Sequence, residues 1–335
     1  MSTGFGGADV HVCAGHPGPA VEAFSNGGRG RPGSRPQTRG SALQLLPTAA
    51  AVFVVLAAAL AALFPVALSV GAVFLFAGPH NWLEARYFAS RMPVRWGKQR
   101  GFFLTALAGV IGLSATFSFV PVDRSFWHAA LVGWALLLVR MVRPEALLAL
   151  APAALAWAAF ALLAPVYADL TLVYLHPLAA LWFVRRQIVK SRPQWSPQFR
   201  VIALALPLLA IFVVSARAGQ PVTSAVQFQS FVPLANSPAL LALHAFLELL
   251  HYGAWVMLLP AIGLASAPWD LRAIPLIRHR LGWPKLVSGS LLIGAALVAL
   301  LWILFALDFE TTRRVYFSIA IIHVLAEVPL LAWLR

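Results

Sequence analysis

Ten apolar runs, most close to the length of a bilayer crossing, follow one another from Leu43 to Leu334 with short polar breaks between them. A helix rises 1.5 Å per residue, so about 20 apolar residues cross the hydrocarbon layer. Within that layer backbone polar groups must bond inside the segment, which favours helices. The fold class read from this is all-α, a polytopic integral membrane bundle of about ten transmembrane helices. Hydrophobic residues make up 61% of the 335 and charged residues 11%, and the mean hydropathy is +0.81. These values lie far from the soluble globular range.

The predicted spans are residues 43–64, 65–82, 101–120, 126–139, 146–166, 167–184, 201–215, 238–265, 286–307 and 315–334. Gly78–Pro79 reads as a helix break closing the second span, with a basic loop from Arg86 to Arg100 after it. The net charge of +14 sits almost entirely between spans. With the N-terminus cytoplasmic, the basic clusters Arg86–Arg100, Arg140/Arg143, Arg185–Arg200 and Arg272–Lys285 all fall inside. Arg124, Arg217 and Arg313/Arg314 remain outside, and residues 217–237 form the longest outer loop. This is the positive-inside pattern, so both termini are expected in the cytoplasm, N-in/C-in, with the bacterial inner membrane as the location. The charge orients the chain in its lipid bilayer and gives no support for nucleic-acid binding.

Residues 1–42 differ in kind. They are rich in Gly, Pro, Ser and Arg, lack apolar surface for a core, and read as a disordered basic tail ahead of the membrane domain at 43–335. A single cysteine, Cys13, excludes a disulfide framework and a thiolate metal site. No P-loop, Rossmann glycine fingerprint, Ser-His-Asp order or HExxH pattern occurs, and no inverted repeat is evident.

The chemistry lies in histidines and glutamates within the apolar runs. His80 precedes Glu84 by four residues, His244 precedes Glu248, and His323 precedes Glu327; His251 follows His244 by seven, and His176 stands alone. The i,i+4 spacing puts each pair on one helix face. Ionisable groups at the bilayer centre cost about 2.5 kcal/mol or more, so they mark a site by default. Neutral imidazole and carboxylate oxygen suit divalent iron, zinc or manganese. The candidate metal ligands are His80, His176, His244, His251 and His323, with Glu84, Glu248 and Glu327 as ligating or orienting acids. The competing reading is structural: buried His–Glu pairs bonded to each other, and His176 as a hydrogen-bonded core residue. His128 beside Trp127 reads as interfacial, His279 between arginines as solvent-exposed, and His11 and His16 belong to the tail. Arg86 is placed to pair with Glu84 or with a lipid phosphate.

This layout resembles the membrane-embedded carotene-cleaving dioxygenases of the bacteriorhodopsin-related-protein (Brp/Blh) type. The matching positions are His80, within Gly-Pro-His and followed by an acid four residues on, then His176, His244 and His323. The resemblance implies a non-haem iron (Fe2+) held by imidazoles from several helices, and oxidative cleavage of a polyene by dioxygen. Glu84 stands where that pattern has an aspartate, and Glu248 and Glu327 are additional. The first expectation is thus an intramembrane metal-dependent oxidoreductase acting on a hydrophobic small molecule such as a carotenoid, isoprenoid or lipid. A transporter or channel using the same groups for proton or cation coupling is the second, and a haem-b electron-transfer protein the third. A membrane metallohydrolase is a further alternative.

Overall fold

The computed structural model describes residues 45–220, 237–263, 270–278 and 283–334. The basic tail, most of the 217–237 loop, Cys13, His11, His16 and His279 lie outside the described residues. Those described belong to one compact unit and contain helices and no strand. Among the described residues, ten helices are long and apolar enough to cross a membrane, so the chain is an integral membrane protein.

In chain order they are α1 (Leu46–Leu63), α2 (Pro65–Arg91), α3 (Arg100–Phe119), α4 (Arg124–Val142), α5 (Leu147–Leu163), α6 (Pro165–Ser191), α7 (Ser196–Arg217), α8 (Pro238–Gly263), α9 (Pro284–Leu307) and α10 (Phe309–Trp333). Prolines open α2, α6, α8 and α9, where their missing N–H would have no partner anyway. Asp123 caps α4, its carboxylate accepting from the Ser125 and Phe126 amides at 2.8 and 3.3 Å. Asp308 caps α10 through the Thr311 amide. One residue separates α1 from α2, α5 from α6 and α9 from α10.

Two expected boundaries change. The second span does not break at Gly78–Pro79: α2 runs on through Pro79 to Arg91. The sixth extends to Ser191 rather than Val184, with Pro177 inside it. A proline within a bundle helix is tolerated because neighbouring side chains re-satisfy the carbonyl it releases. The fourth and seventh spans are longer than read, reaching 19 and 22 residues, because capping and turn residues at their ends join the helix.

α8 is the central element. In its most apolar stretch 61% of residues are buried, against 6% in α5 and in α7. It packs on α1, α2, α6 and α7. Close approach to α1 requires Gly253, where a Cβ would meet the Phe53 ring at 2.5 Å. α10 packs against α2, α3, α4 and α9. The α3–α4 crossing is equally tight, since a Cβ at Gly109 would fall on the Trp134 indole.

Contacts fix the relative directions of four helices. Along α2 and α8 the pairs Ser69 with Glu248, His80 with His251, and Tyr87 with Trp255 advance together. Along α2 and α10, Ala77 meets Tyr316, His80 meets His323, and Glu84 lies near Glu327. Along α6 and α8, Tyr174 meets Leu240 and Gln187 meets Ile262. Hence α2, α6, α8 and α10 run parallel, and His80, His176, His244, His251 and His323 lie on these four.

Candidate metal centre

His80, His176, His251 and His323 sit near the middle of helices of 27, 27, 26 and 25 residues. Parallel helices with polar residues at matching depth bring them together. Ring centroids are 5.2 Å apart for His80–His251 and for His80–His323. They are 4.9 Å apart for His176–His251, 5.6 Å for His176–His323 and 6.0 Å for His251–His323. One ligand atom from each of His80, His251, His323 and Glu84 lies within 4.8 Å of every other.

Backbone carbonyls orient two of the rings. His80 Nδ1 lies 2.9 Å from the Phe76 oxygen, and His176 Nδ1 lies 3.1 Å from the Val173 oxygen. A carbonyl can only accept, so each Nδ1 donates and each Nε2 presents a lone pair. For His176 the local sequence supplies the device. Pro177 has no N–H to give Val173, four residues back, and the freed carbonyl takes the adjacent imidazole. α8 passes through a single π-helical turn, Ala254–Leu258, three residues beyond His251. Such turns are frequent at functional sites.

His80 Nε2, both nitrogens of His251 and His323, and both oxygens of Glu84 are buried without a hydrogen-bond partner. Native proteins pair the great majority of such atoms. Imidazoles and a carboxylate converging with open lone pairs fit a divalent cation, and their chemistry suits iron, zinc or manganese. Glu327 lies one turn beyond His323, close enough to interact electrostatically with Glu84, and it faces the Trp255 indole. The end of the bundle beyond these acids is filled by the Tyr87, Phe183 and Trp255 rings.

On the other side of the histidines the polar groups are arranged differently. Glu248 accepts from Tyr252 at 2.8 Å and from Ser69 at 3.4 Å. His244 Nδ1 is 3.7 Å from Oε2, the oxygen that Ser69 also meets. The group formed by His80, Glu84, His251 and His323 leaves out both His176, whose ring lies beside His251 and His323, and His244, which sits with Glu248, though all five histidines face one cavity. That cavity has a volume of about 520 Å³, is mostly apolar, and extends from His80, His176, His251 and His323 past His244 and Glu248 to Asp169 and Arg314.

Several residues carry roles the sequence did not assign. His128, expected at the interface, is fully buried, with Nε2 3.0 Å from Asp169, which also meets Arg124 at 3.7 Å. Arg86 is buried and donates to the Asp270 carbonyl at 3.1 Å. Ser69, Tyr252, Asn81 and Tyr316 went unnoticed. Tyr252 was findable, since it follows Glu248 by four residues.

No protein-family model, curated protein or solved structure matches this chain. A His/Glu group in a membrane-type helical bundle is the class of site present.

Proposed function

We propose that this chain is an intramembrane metal-dependent oxidoreductase, with non-haem iron as the metal, that acts on a lipophilic substrate of the carotenoid, isoprenoid or lipid kind. The observation that carries the reading is the meeting of four imidazoles from four parallel helices beside an apolar cavity. His80, His251 and His323 would hold the ion with Glu84, and His176 is the fourth imidazole at the site. Iron(II) bound there would supply an open coordination position at which dioxygen and substrate can react. The protein contributes the rest. Carbonyls of Phe76 and Val173 hold His80 and His176 with Nε2 forward. The apolar walls admit a hydrophobic molecule and exclude water. Glu84 and Glu327 provide charge at the closed end. Glu248 holds the Tyr252 hydroxyl proton at Oε1 on the cavity side.

The resemblance to the carotene-cleaving membrane dioxygenases supports this substrate class. The histidine set that fits here is His80, His176, His251 and His323, with His251 in the place first matched to His244. A carrier using the same groups needs a polar route to both ends, and the Tyr87–Phe183–Trp255 packing favours the enzyme reading instead. Haem needs two facing imidazoles with a flat ring between them, whereas three imidazoles and a carboxylate within 4.8 Å of one another favour a single ion. We further propose that both termini face the cytoplasm, in a bacterial inner membrane; reporter fusions at residues 220 and 335 test the topology and are expected on opposite sides.

The deciding experiment is elemental analysis of detergent-purified protein, followed by incubation with β-carotene and dioxygen. Near-stoichiometric iron and formation of an aldehyde product are expected. Product formed by fully metal-free protein would overturn the reading.

A further inference from the structure

A second apolar cavity, of about 510 Å³, lies between α2, α9 and α10. Its outer rim is lipid-facing: Leu297 and Val315 are 57% and 58% exposed. Its inner wall is shared with the histidine cavity, because Tyr316 lines both. Consecutive residues of α2 divide between them, His80 facing the first cavity and Asn81 the second. The Tyr316 hydroxyl accepts from Asn81 at 3.1 Å and reaches the Ala77 carbonyl at 3.5 Å. One polar latch thus separates two greasy compartments of nearly equal size, two helical turns before His323 on α10.

We infer that the two cavities are halves of one binding tunnel for a single elongated hydrocarbon chain, admitted from the bilayer between α9 and α10, with Tyr316 and Asn81 as the gate. The inference rests on the lipophilic-substrate reading above. A chain threaded in this way has one end near Asp169 and Arg314 and the other in the α9–α10 crevice. It presents an internal segment to the imidazoles and not a terminus. Each cavity alone has the size of an ordinary compact-ligand pocket, within roughly 300–1,000 Å³; joined end to end they suit a long, thin molecule. Their lining matches, since both are predominantly apolar and the second offers only uncharged polar groups such as Asn81, Ser290 and Thr312.

The test uses the full chain in lipid nanodiscs and a linear isoprenoid hydrocarbon carrying a photoactivatable diazirine at each end. One probe molecule is expected to bridge α6 near residues 170–173 and α9 near residues 297–301, read as a cross-linked peptide pair by mass spectrometry. Leu297→Trp, which fills the crevice from its exposed rim, should reduce that bridged product at least tenfold while metal content is unchanged. Gly294→Leu, deeper in the same crevice, should do the same. Tyr316→Ala should raise the bridged yield by opening the latch. Labelling confined to one cavity, or bridging unaffected by both crevice variants, would overturn the inference. Cross-linking needs neither metal nor turnover, so loss of the oxidoreductase reading would leave this result standing by itself.

Discussion

The acids on the two sides of the histidine layer differ in how they are treated. Glu248, on the cavity side, has Tyr252, Ser69 and His244 around its two oxygens. Glu84, on the closed side, has no hydrogen-bond partner for either oxygen, and Glu327 lies beside it. All three follow an in-helix histidine by four residues, so the same local pattern has produced a satisfied carboxylate, one that faces an indole and one with no partner at all. A satisfied buried acid is a structural and proton-holding group. An unsatisfied one beside open imidazole lone pairs requires a cation or a proton. The comparison teaches that the pairing motif locates a polar site without saying which acid serves the ion.

The sharpest way to break this contrast is to remove the histidines. His251→Ala or His80→Ala should abolish metal content and activity, measured by elemental analysis and product formation, while the protein still inserts and purifies. Retained stoichiometric metal in either variant would show that the ion is held elsewhere. Glu84→Gln and Glu327→Gln should come next, each lowering metal affinity on the order of 10–100-fold if the acids ligate or orient the imidazoles. Glu248→Gln should leave metal affinity within a few-fold of the parent. Equal effects from Glu84→Gln and Glu248→Gln would erase the distinction between the two sides.

Pro177→Ala tests the carbonyl that orients His176. Restoring an N–H at residue 177 gives the Val173 oxygen a second donor, and the imidazole then shares it. A loss of metal affinity of about tenfold is expected, the lower end of what orienting groups contribute. On the satisfied side, Glu248→Leu should cost about 1–3 kcal/mol of stability by stranding the Tyr252 hydroxyl and Ser69, read as a lower thermal midpoint in detergent. The smallest effect concerns Asp308 at the start of α10. Its hydrogen bonds to Thr311 hold its pKa below the ordinary aspartate value of 3.8. A depressed carboxylate stabilises the folded state above its unfolded pKa, and that contribution disappears as pH falls through the folded value. Asp308→Asn should therefore flatten the acid limb of the stability profile below pH about 4 and leave neutral pH nearly unchanged.

Much of the architecture was legible because lipid imposes a strict length and polarity on each crossing. The ten apolar runs became ten helices, and the histidines and glutamates marked the helices that build the site. Pro79 was misread as a stop, since the rule that proline ends a helix comes from water-exposed chains and bundles relax it. His128 looked interfacial from Trp127 next to it, but its partner Asp169 lies two helices away, which no local pattern reveals. The grouping of His80 with His251 and His323, and of His244 with Glu248, depends on helix rotation set by contacts such as Gly253 against Phe53. Seven-residue spacing places His244 and His251 on one face but leaves their depths two turns apart, and depth decides which one joins His80, Glu84 and His323.

The parallel run of the four histidine-bearing helices has a consequence for biosynthesis. Between each of them and the next lies at least one helix that contributes no imidazole to the cluster, so no two neighbours in the chain can form a partial site by themselves. His80 enters the bilayer early and His323 only with the last described helix. The translocating chain must hold several unpaired imidazoles and carboxylates in or near lipid until α10 arrives. Closure of the centre therefore waits for α10, and a metal ion captured at that moment would lock α2 and α10 together.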